Sequence, residues 1–212
     1  MDGKVTDDAR TWADEELIRR YLETENRQLF AILVQRHQNQ VYSMCARILG
    51  SPTLAEEVAQ DVFVAVYKNL ARFRGDSKFT TWMYRVVVNH CKNKQAYRFR
   101  RKEKQHESLD QPKELEGGTV KRELPSSKPG PERIALANER QRILHAGLAQ
   151  LSEEQRSIIV MRDLHGLPYD EIAETLGVAQ GTVKSRLHRA RNELKNRVGR
   201  LLVTLEGAQG AG

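Results

Sequence analysis

Apolar side chains recur every three or four positions through two long stretches of the chain, the spacing of helices that bury one face. In residues 26–50 the repeat runs through Leu29/Phe30, Leu33/Val34, Val41, Cys45 and Ile48/Leu49. Residues 51–73 place Pro52 and Thr53 in a first helical turn, where a missing N–H costs nothing. Leu54, Val58, Val62, Ala65/Val66 and Asn69 then share one face. "RGDS" at 74–77 breaks the pattern, and a long helix is predicted from about Lys78 to Arg101. Farther on, Ser152 and Gln155 have capping-box spacing for a helix that ends at Gly166. "LPYDEIAETLGVAQGTVKSRLHRARNEL" (167–194) predicts two helices about a tight turn. Pro168 is expected in the first turn, Ile172, Ala173 and Leu176 on the buried face, Gly177 at a left-handed position and Val178 anchoring the turn in the core. No strand periodicity and no internal repeat occurs, so the fold class is all-α.

The two stretches are separated. Four of the six prolines fall between residues 112 and 131, and residues 101–133 carry only Leu109, Leu115, Val120 and Leu124 as large apolar side chains. Such a segment buries too little surface to offset its ordering entropy. The expected layout is two small helical domains, 12–100 and 134–204, joined by a flexible linker over 101–133. The second is a four-helix domain with a helix-turn-helix. The small, polar tail "EGAQGAG" (206–212) is expected to be disordered.

Charge adds a direction. Of the 212 residues 30% are charged and the net charge is +7. Residues 78–102 hold eight Lys or Arg and no acid, and residues 180–200 hold seven against Glu193 alone, so the remaining chain is acidic, at −7. Two basic tracts on an acidic chain point to two contacts with one polyanion. No apolar run reaches the 18 residues of a membrane span, and "MDGKVTDDAR" has no signal core, which implies a cytoplasmic protein. Cys45 and Cys91 lack metal or redox spacing and read as two buried thiols. No phosphate-binding loop, nucleophile elbow or zinc motif occurs. Glu56, Glu57 and Asp61 lie close on one helix, but no second carboxylate cluster completes a two-metal site. No catalysis, cofactor, metal or small-molecule substrate is expected.

In the last helix Val183, Leu187, Ala190 and Leu194 form a narrow apolar stripe, opposite Gly181, Ser185, His188, Arg189 and Asn192. A helix that reads DNA needs hydrogen-bonding side chains toward base edges and cations at its margins. Ser185, Arg186, His188 and Arg189 are the base-edge candidates, Lys184 and Arg191 the phosphate candidates, and Thr182 joins them among the DNA-binding residues. His188 is either a reader or a spacer. A repressor, a transposase and an initiation factor could each carry this segment.

The other half narrows the choice. "AEEVAQDVFVAVYKNLAR" (55–72) and "FRGDSKFTTWMYRVVVNHCKN" (73–93) resemble the core-binding and promoter-melting segment of bacterial sigma factors, and 167–191 resembles their region 4. The two-domain layout resembles the extracytoplasmic-function (ECF) group. The resemblance implies a chain, monomeric when free, that docks on core RNA polymerase through the β′ coiled coil and the β subunit. It further implies recognition and opening of the −10 element by the N-terminal domain, reading of the −35 element by the C-terminal one, and an anti-sigma partner, in some members membrane-tethered. The polymerase-contact candidates are Glu57, Gln60, Asp61, Phe63 and Tyr67; aromatics beside carboxylates on an outward face suit a partner, although Phe63 and Tyr67 have packing on the first helix as their alternative. For the −10 element, Phe79, Trp82, Tyr84 and Asn89 supply aromatic and amide groups for an unstacked base, with Arg74, Lys78, Arg85 and Lys92 among the basic groups that track the backbone. Housekeeping members carry two adjacent Trp where this chain has Trp82 followed by Met83. A single wedge implies weaker melting and a narrower promoter choice. Trp82 is either that wedge or a core residue. Two other readings compete: a dimeric one-component regulator that binds a palindrome without polymerase, and a helical nuclease, which would cleave plain DNA with metal.

Overall fold

The computed structural model describes residues 7–106 and 131–209, in two compact units, both helical. The N-terminal unit contains α1 (Asp14–Thr24), α2 (Arg27–Leu49), α3 (Pro52–Asn69) and α4 (Phe79–His106), with short 3-10 turns at Asp7–Arg10 and Leu70–Arg72. The C-terminal unit contains α5 (Pro131–Ala149), α6 (Glu153–Ile159), α7 (Tyr169–Leu176) and α8 (Gln180–Gln209). Residues 107–130, most of the expected linker, lie outside the described residues. Among the described residues no helix is long and apolar enough to cross a membrane, and no group of three or more His, Cys, Asp or Glu could hold a metal ion.

The predicted helices form, and the predicted faces are buried along their centres, with Phe30, Val34, Leu54, Ala65 and Asn69 half-buried. On α2, Leu33, Val41, Cys45 and Ile48 are fully buried; on α3, Val58, Val62 and Val66 are. Pro52 opens α3, as its fixed φ favours. Cys45 and Cys91 are buried free thiols. A hydrogen bond with the Cys45 sulfur, and then burial, push the Cys91 thiol upward, toward its unreactive protonated form. Helix α1 has no counterpart in the sequence reading. It buries only Leu17 and Ile18, starts without a side-chain cap on a triplet of acids, Asp14, Glu15 and Glu16, and stops at Glu25, a non-glycine residue at φ 52°. The acids favour a helix N-terminus through the macrodipole.

In the C-terminal unit α5, α6 and α7 all pack on α8. The Ser152/Gln155 capping box forms as predicted. The helix it starts changes pitch, however: Val160–Leu164 is a single π turn, closed by the His165 N–H on the Val160 carbonyl at 3.1 Å. The five consecutive residues Ser157–Met161 are all buried, which one α-helical face does not accommodate; the wider turn rotates Asp163 back to solvent. Arg156 donates to the Leu148, Ala149 and Leu151 carbonyls at 2.8, 2.8 and 3.1 Å, satisfying the orphan acceptors at the end of α5.

Three boundaries differ from expectation. Pro168 is the N-cap of α7, at ψ 155°, and not a first-turn residue. Helix α4 continues past Arg101 to His106, because "RRKEKQ" contains only strong helix formers. Helix α8 runs to Gln209, through part of the tail expected to be disordered, and residues 210–212 lie outside the described residues.

Gly177 does adopt the left-handed conformation, φ 67°, and the Val178 N–H closes the turn on the Ala173 carbonyl at 3.0 Å. A Cβ at Gly177 would meet nothing within 4 Å, so only backbone strain opposes a side chain. Gly177→Ala is therefore expected to cost about 1–2 kcal/mol and no more. Thermal melting of the variant against wild type measures it.

Candidate functional site

Helix α8 keeps the predicted separation of faces. Val183, Leu187 and Ala190 are buried, Leu194 is half-buried, and Gly181, Ser185, His188, Arg189 and Asn192 are all exposed. The exposed face holds itself in place by local bonds: Ser185 Oγ donates to the Thr182 carbonyl at 3.0 Å, and the Asn192 amide contacts His188 Nε2 at 3.1 Å. Lys184 is exposed and Thr182 is half-buried.

Two of the arginines are engaged. Arg186 pairs with Glu154 at the start of α6, and Arg191 with Asp163 on the π turn, Nε to Oδ2 at 3.0 Å. The Asp163 hydrogen bond holds the Arg191 pKa above the usual arginine value. Tyr169, at the start of α7, carries Arg162 over its ring at 4.6 Å and Lys184 at 5.8 Å. Glu154, Asp163 and Tyr169 orient the cations of α8 and went unnoticed in the sequence, since each lies on a different element from its partner. Arg189 reaches only the Ser185 carbonyl, at 3.4 Å, and remains the freest long donor on the reading face.

The −10 candidates separate into two sets. Lys78, Trp82, Arg85, Asn89 and Lys92 follow alternating steps of four and three, a single stripe along the outer side of α4. Lys78, Asn89 and Lys92 are exposed, and Trp82 and Arg85 half-buried; Arg74 is exposed in the preceding loop. Phe79 and Tyr84 belong to the core instead, at 1% and 7% exposure. Neither reaches a base without leaving the core, which corrects their assignment as contacts. Phe79 is the floor of an aromatic group, 5.8 Å from Phe73 and 6.0 Å from Trp82, with Phe73 and Trp82 themselves 5.8 Å apart. Trp82 is thus packed on one side and open on the other. The same helix ends in a basic segment with two exposed aromatics, Tyr97 at 54% and Phe99 at 65%.

On α3 the outward side presents Glu56, Glu57, Gln60 and Asp61, all exposed, with half-buried Phe63 and exposed Val64. Glu57 pairs with Lys94 of α4. Tyr67 packs, as its alternative reading had it, with its ring on Phe30 at 5.1 Å and Tyr21 at 6.1 Å, and the residue stays 41% exposed. Burial first, and then the hydrogen bond with Tyr67, push the Tyr21 phenol up to about 12. A depression of about 260 Å³ beside it is lined by Tyr21, Leu22, Tyr67 and Lys68, among others. One unit therefore offers a polar–aromatic face on α3 and a cationic stripe on α4, and the other a cationic face on α8.

Comparison with known proteins gives these faces a context. Residues 33–105 match the family described as Sigma-70 region 2, and residues 141–194 match Sigma-70, region 4. The chain is 34% identical to the ECF RNA polymerase sigma-E factor of Escherichia coli K12, over 87% of this chain and 94% of that one. It is 32% identical to the RNA polymerase sigma-H factor of Pseudomonas aeruginosa, over 85% of this chain and 91% of that one. Among solved structures it is similar to CnrH in complex with the cytosolic domain of CnrY, with TM-score 0.58 and 25% identity over 89% of this chain and 99% of that one. The fold is also that of the sigma factor RpoE of Bartonella quintana, solved with the anti-sigma factor NepR, with TM-score 0.63 and 20% identity over 80% and 96% of the two chains.

Proposed function

The chain belongs to the sigma-70 family as an ECF RNA polymerase sigma factor, and we propose from that membership how its surfaces share the work of transcription initiation. It is a non-catalytic subunit that directs the polymerase to promoters. The outward face of α3, with Glu57, Gln60, Asp61, Phe63 and Tyr67, docks core polymerase at the β′ coiled coil. The α4 stripe takes the −10 element: Arg74, Lys78, Arg85 and Lys92 follow the backbone, while Trp82 and Asn89 receive bases as the strands part. Helix α8 enters the major groove at −35 with Ser185, Arg186, His188 and Arg189 toward base edges, and Lys184 and Arg191 toward phosphates. Free in the cytoplasm the chain is a monomer, kept inactive by an anti-sigma factor; the complex of the like-folded RpoE with the anti-sigma factor NepR supports a partner of that class.

The observation that carries this reading is the unbroken exposed face Gly181–Ser185–His188–Arg189–Asn192 on a helix whose opposite face is buried. Such a separation is common to surface helices; here the open side is also cationic, with seven Lys or Arg and Glu193 alone as acid over residues 180–200. Run-off transcription with core polymerase, with and without the chain, is the test: specific starts are expected only with both. Starts absent from every fragment of a genomic library, or tight binding of a dimer to a palindrome without polymerase, would return the chain to the one-component regulators.

The order of the arginines can be tested too. Arg189→Ala is expected to cost about 1–3 kcal/mol at the −35 site and to relax preference at one base pair, as loss of a bidentate guanine contact does. Arg186 must first leave Glu154, so Arg186→Ala should cost less. Competition binding of holoenzyme to single-base promoter variants reads both. Unchanged preference in both variants would mean that another side of α8 faces the bases.

A further inference from the structure

Beneath the aromatic floor of the −10 segment lies a buried histidine that the division of labour above does not use. His37 of α2 is 4% exposed. Its Nε2 meets Asp14 Oδ2 at 2.8 Å and its Nδ1 meets Gln40 Oε1 at 3.3 Å, so the ring is held from both nitrogens. Each partner is itself anchored. Asp14 also pairs with Arg36, whose guanidinium donates to the carbonyls of Arg10 and Trp12 at 3.1 and 3.0 Å. Gln40 Oε1 accepts the Tyr84 hydroxyl of α4 at 3.2 Å. Burial disfavours the Asp14 carboxylate, but His37 and Arg36 outweigh it and hold its pKa below the ordinary value, so it stays ionised.

The ring so fixed stands edge-on to Phe79, centroid to centroid 5.6 Å. Phe79 is the first residue of α4, and its backbone N–H donates to Glu15, the neighbour of Asp14, at 3.3 Å. Phe79 in turn supports Phe73 and Trp82. A continuous packed and hydrogen-bonded path therefore runs from the first turn of α1 through His37 to the half-open indole. An apolar residue could fill the same space, but it would take one partner each from Asp14 and Gln40 and remove the held ring edge against which Phe79 packs. The cost of a buried histidine is justified where orientation matters more than packing alone.

We infer that His37 is a positioning residue for promoter opening, fixing Phe79 and through it the angle at which Trp82 meets the −10 base pairs. The inference rests on the −10 role proposed for Trp82, and its test is arranged to tell the two apart.

The experiment uses full-length chain with core polymerase on a promoter that the wild type selects, as intact duplex and as the same sequence with the −10 region pre-opened by mismatches. His37→Leu keeps volume and removes both hydrogen bonds. His37→Gln keeps a donor toward Asp14 and carries the test on the same criteria should the leucine variant not fold. Trp82→Ala is the comparator. His37→Leu is expected to bind core as wild type does and to lose roughly tenfold of its transcripts on duplex, the scale of one charged hydrogen bond. The pre-opened template should restore it to within about twofold, and His37→Gln should lose less. Equal losses on both templates would overturn the inference, because a general defect of the fold is not rescued by mismatches. A loss for Trp82→Ala with none for either His37 variant would overturn it as well and leave the −10 role standing. No loss for any variant on duplex would remove that role and the inference with it.

Discussion

Leu187→Ala is expected to lower the stability of the C-terminal unit by about 2–5 kcal/mol, the range for truncating a buried leucine. Leu187 is 1% exposed and lies between Val183 and Ala190, both fully buried, on the helix against which α5, α6 and α7 all pack. A small domain holds about 5–15 kcal/mol in total, so the loss is a large share, and the unit's melting temperature should fall on the order of 10–30 °C. Function should follow stability: −35 binding fails as the unit melts, and transcription becomes temperature-sensitive. Ser185→Ala, two positions away on the exposed face, should leave melting within about 0.5 kcal/mol of wild type while altering promoter preference. Circular-dichroism melting and run-off transcription across temperature measure the contrast. If Leu187→Ala melts like wild type, α8 is not the centre of the unit.

That contrast was readable before any coordinates, and the reason is local. An amphipathic helix states its buried face in its own spacing, so Val183, Leu187 and Ala190 could be set against Ser185, His188 and Arg189 from one segment alone. The capping box at Ser152 and the left-handed Gly177 are equally short-range. Helix α4 was harder because "MYRVVV" offers two overlapping apolar phases: Met83, Val87 and Cys91 form one, Tyr84 and Val88 another, and both are buried. With the phase unresolved, Phe79 and Tyr84 looked available to DNA on the strength of their basic neighbours. The arginine pairs were out of reach for a different reason. Arg186 and Glu154 are 32 residues apart and Arg191 and Asp163 are 28 apart, and nothing local marks them as partners. His37 illustrates both limits: it sits in the helical repeat of α2 as a polar exception, and its meaning depends on Asp14 and Phe79 from two other helices.

Replacing Gln60, Asp61 and Phe63 together with alanine is expected to weaken capture of core polymerase by roughly 3–5 kcal/mol, about a hundred- to several-thousand-fold, if the α3 face is the docking surface. Phe63 is the anchor of that face. It is half-buried, so the free chain already holds it in one orientation, and burying the remainder against a partner costs little further ordering. Gln60 and Asp61 are fully outward, and their loss removes hydrogen bonds and charge without disturbing the core. Asp61 should act mainly on the association rate, and its share should shrink as salt is raised, as expected of a rim charge. Tyr67 calls for a gentler change. Its ring supports Phe30 and Tyr21, so Tyr67→Ala would confound folding with docking, whereas Tyr67→Phe keeps the packing and tests the hydroxyl alone. Titration of labelled full-length chain with core polymerase at two salt concentrations separates these contributions, and melting of each variant controls for stability. A triple variant that melts and binds core like wild type would move the docking surface off α3, and the exposed aromatics at the end of α4, Tyr97 and Phe99, would be the next to replace.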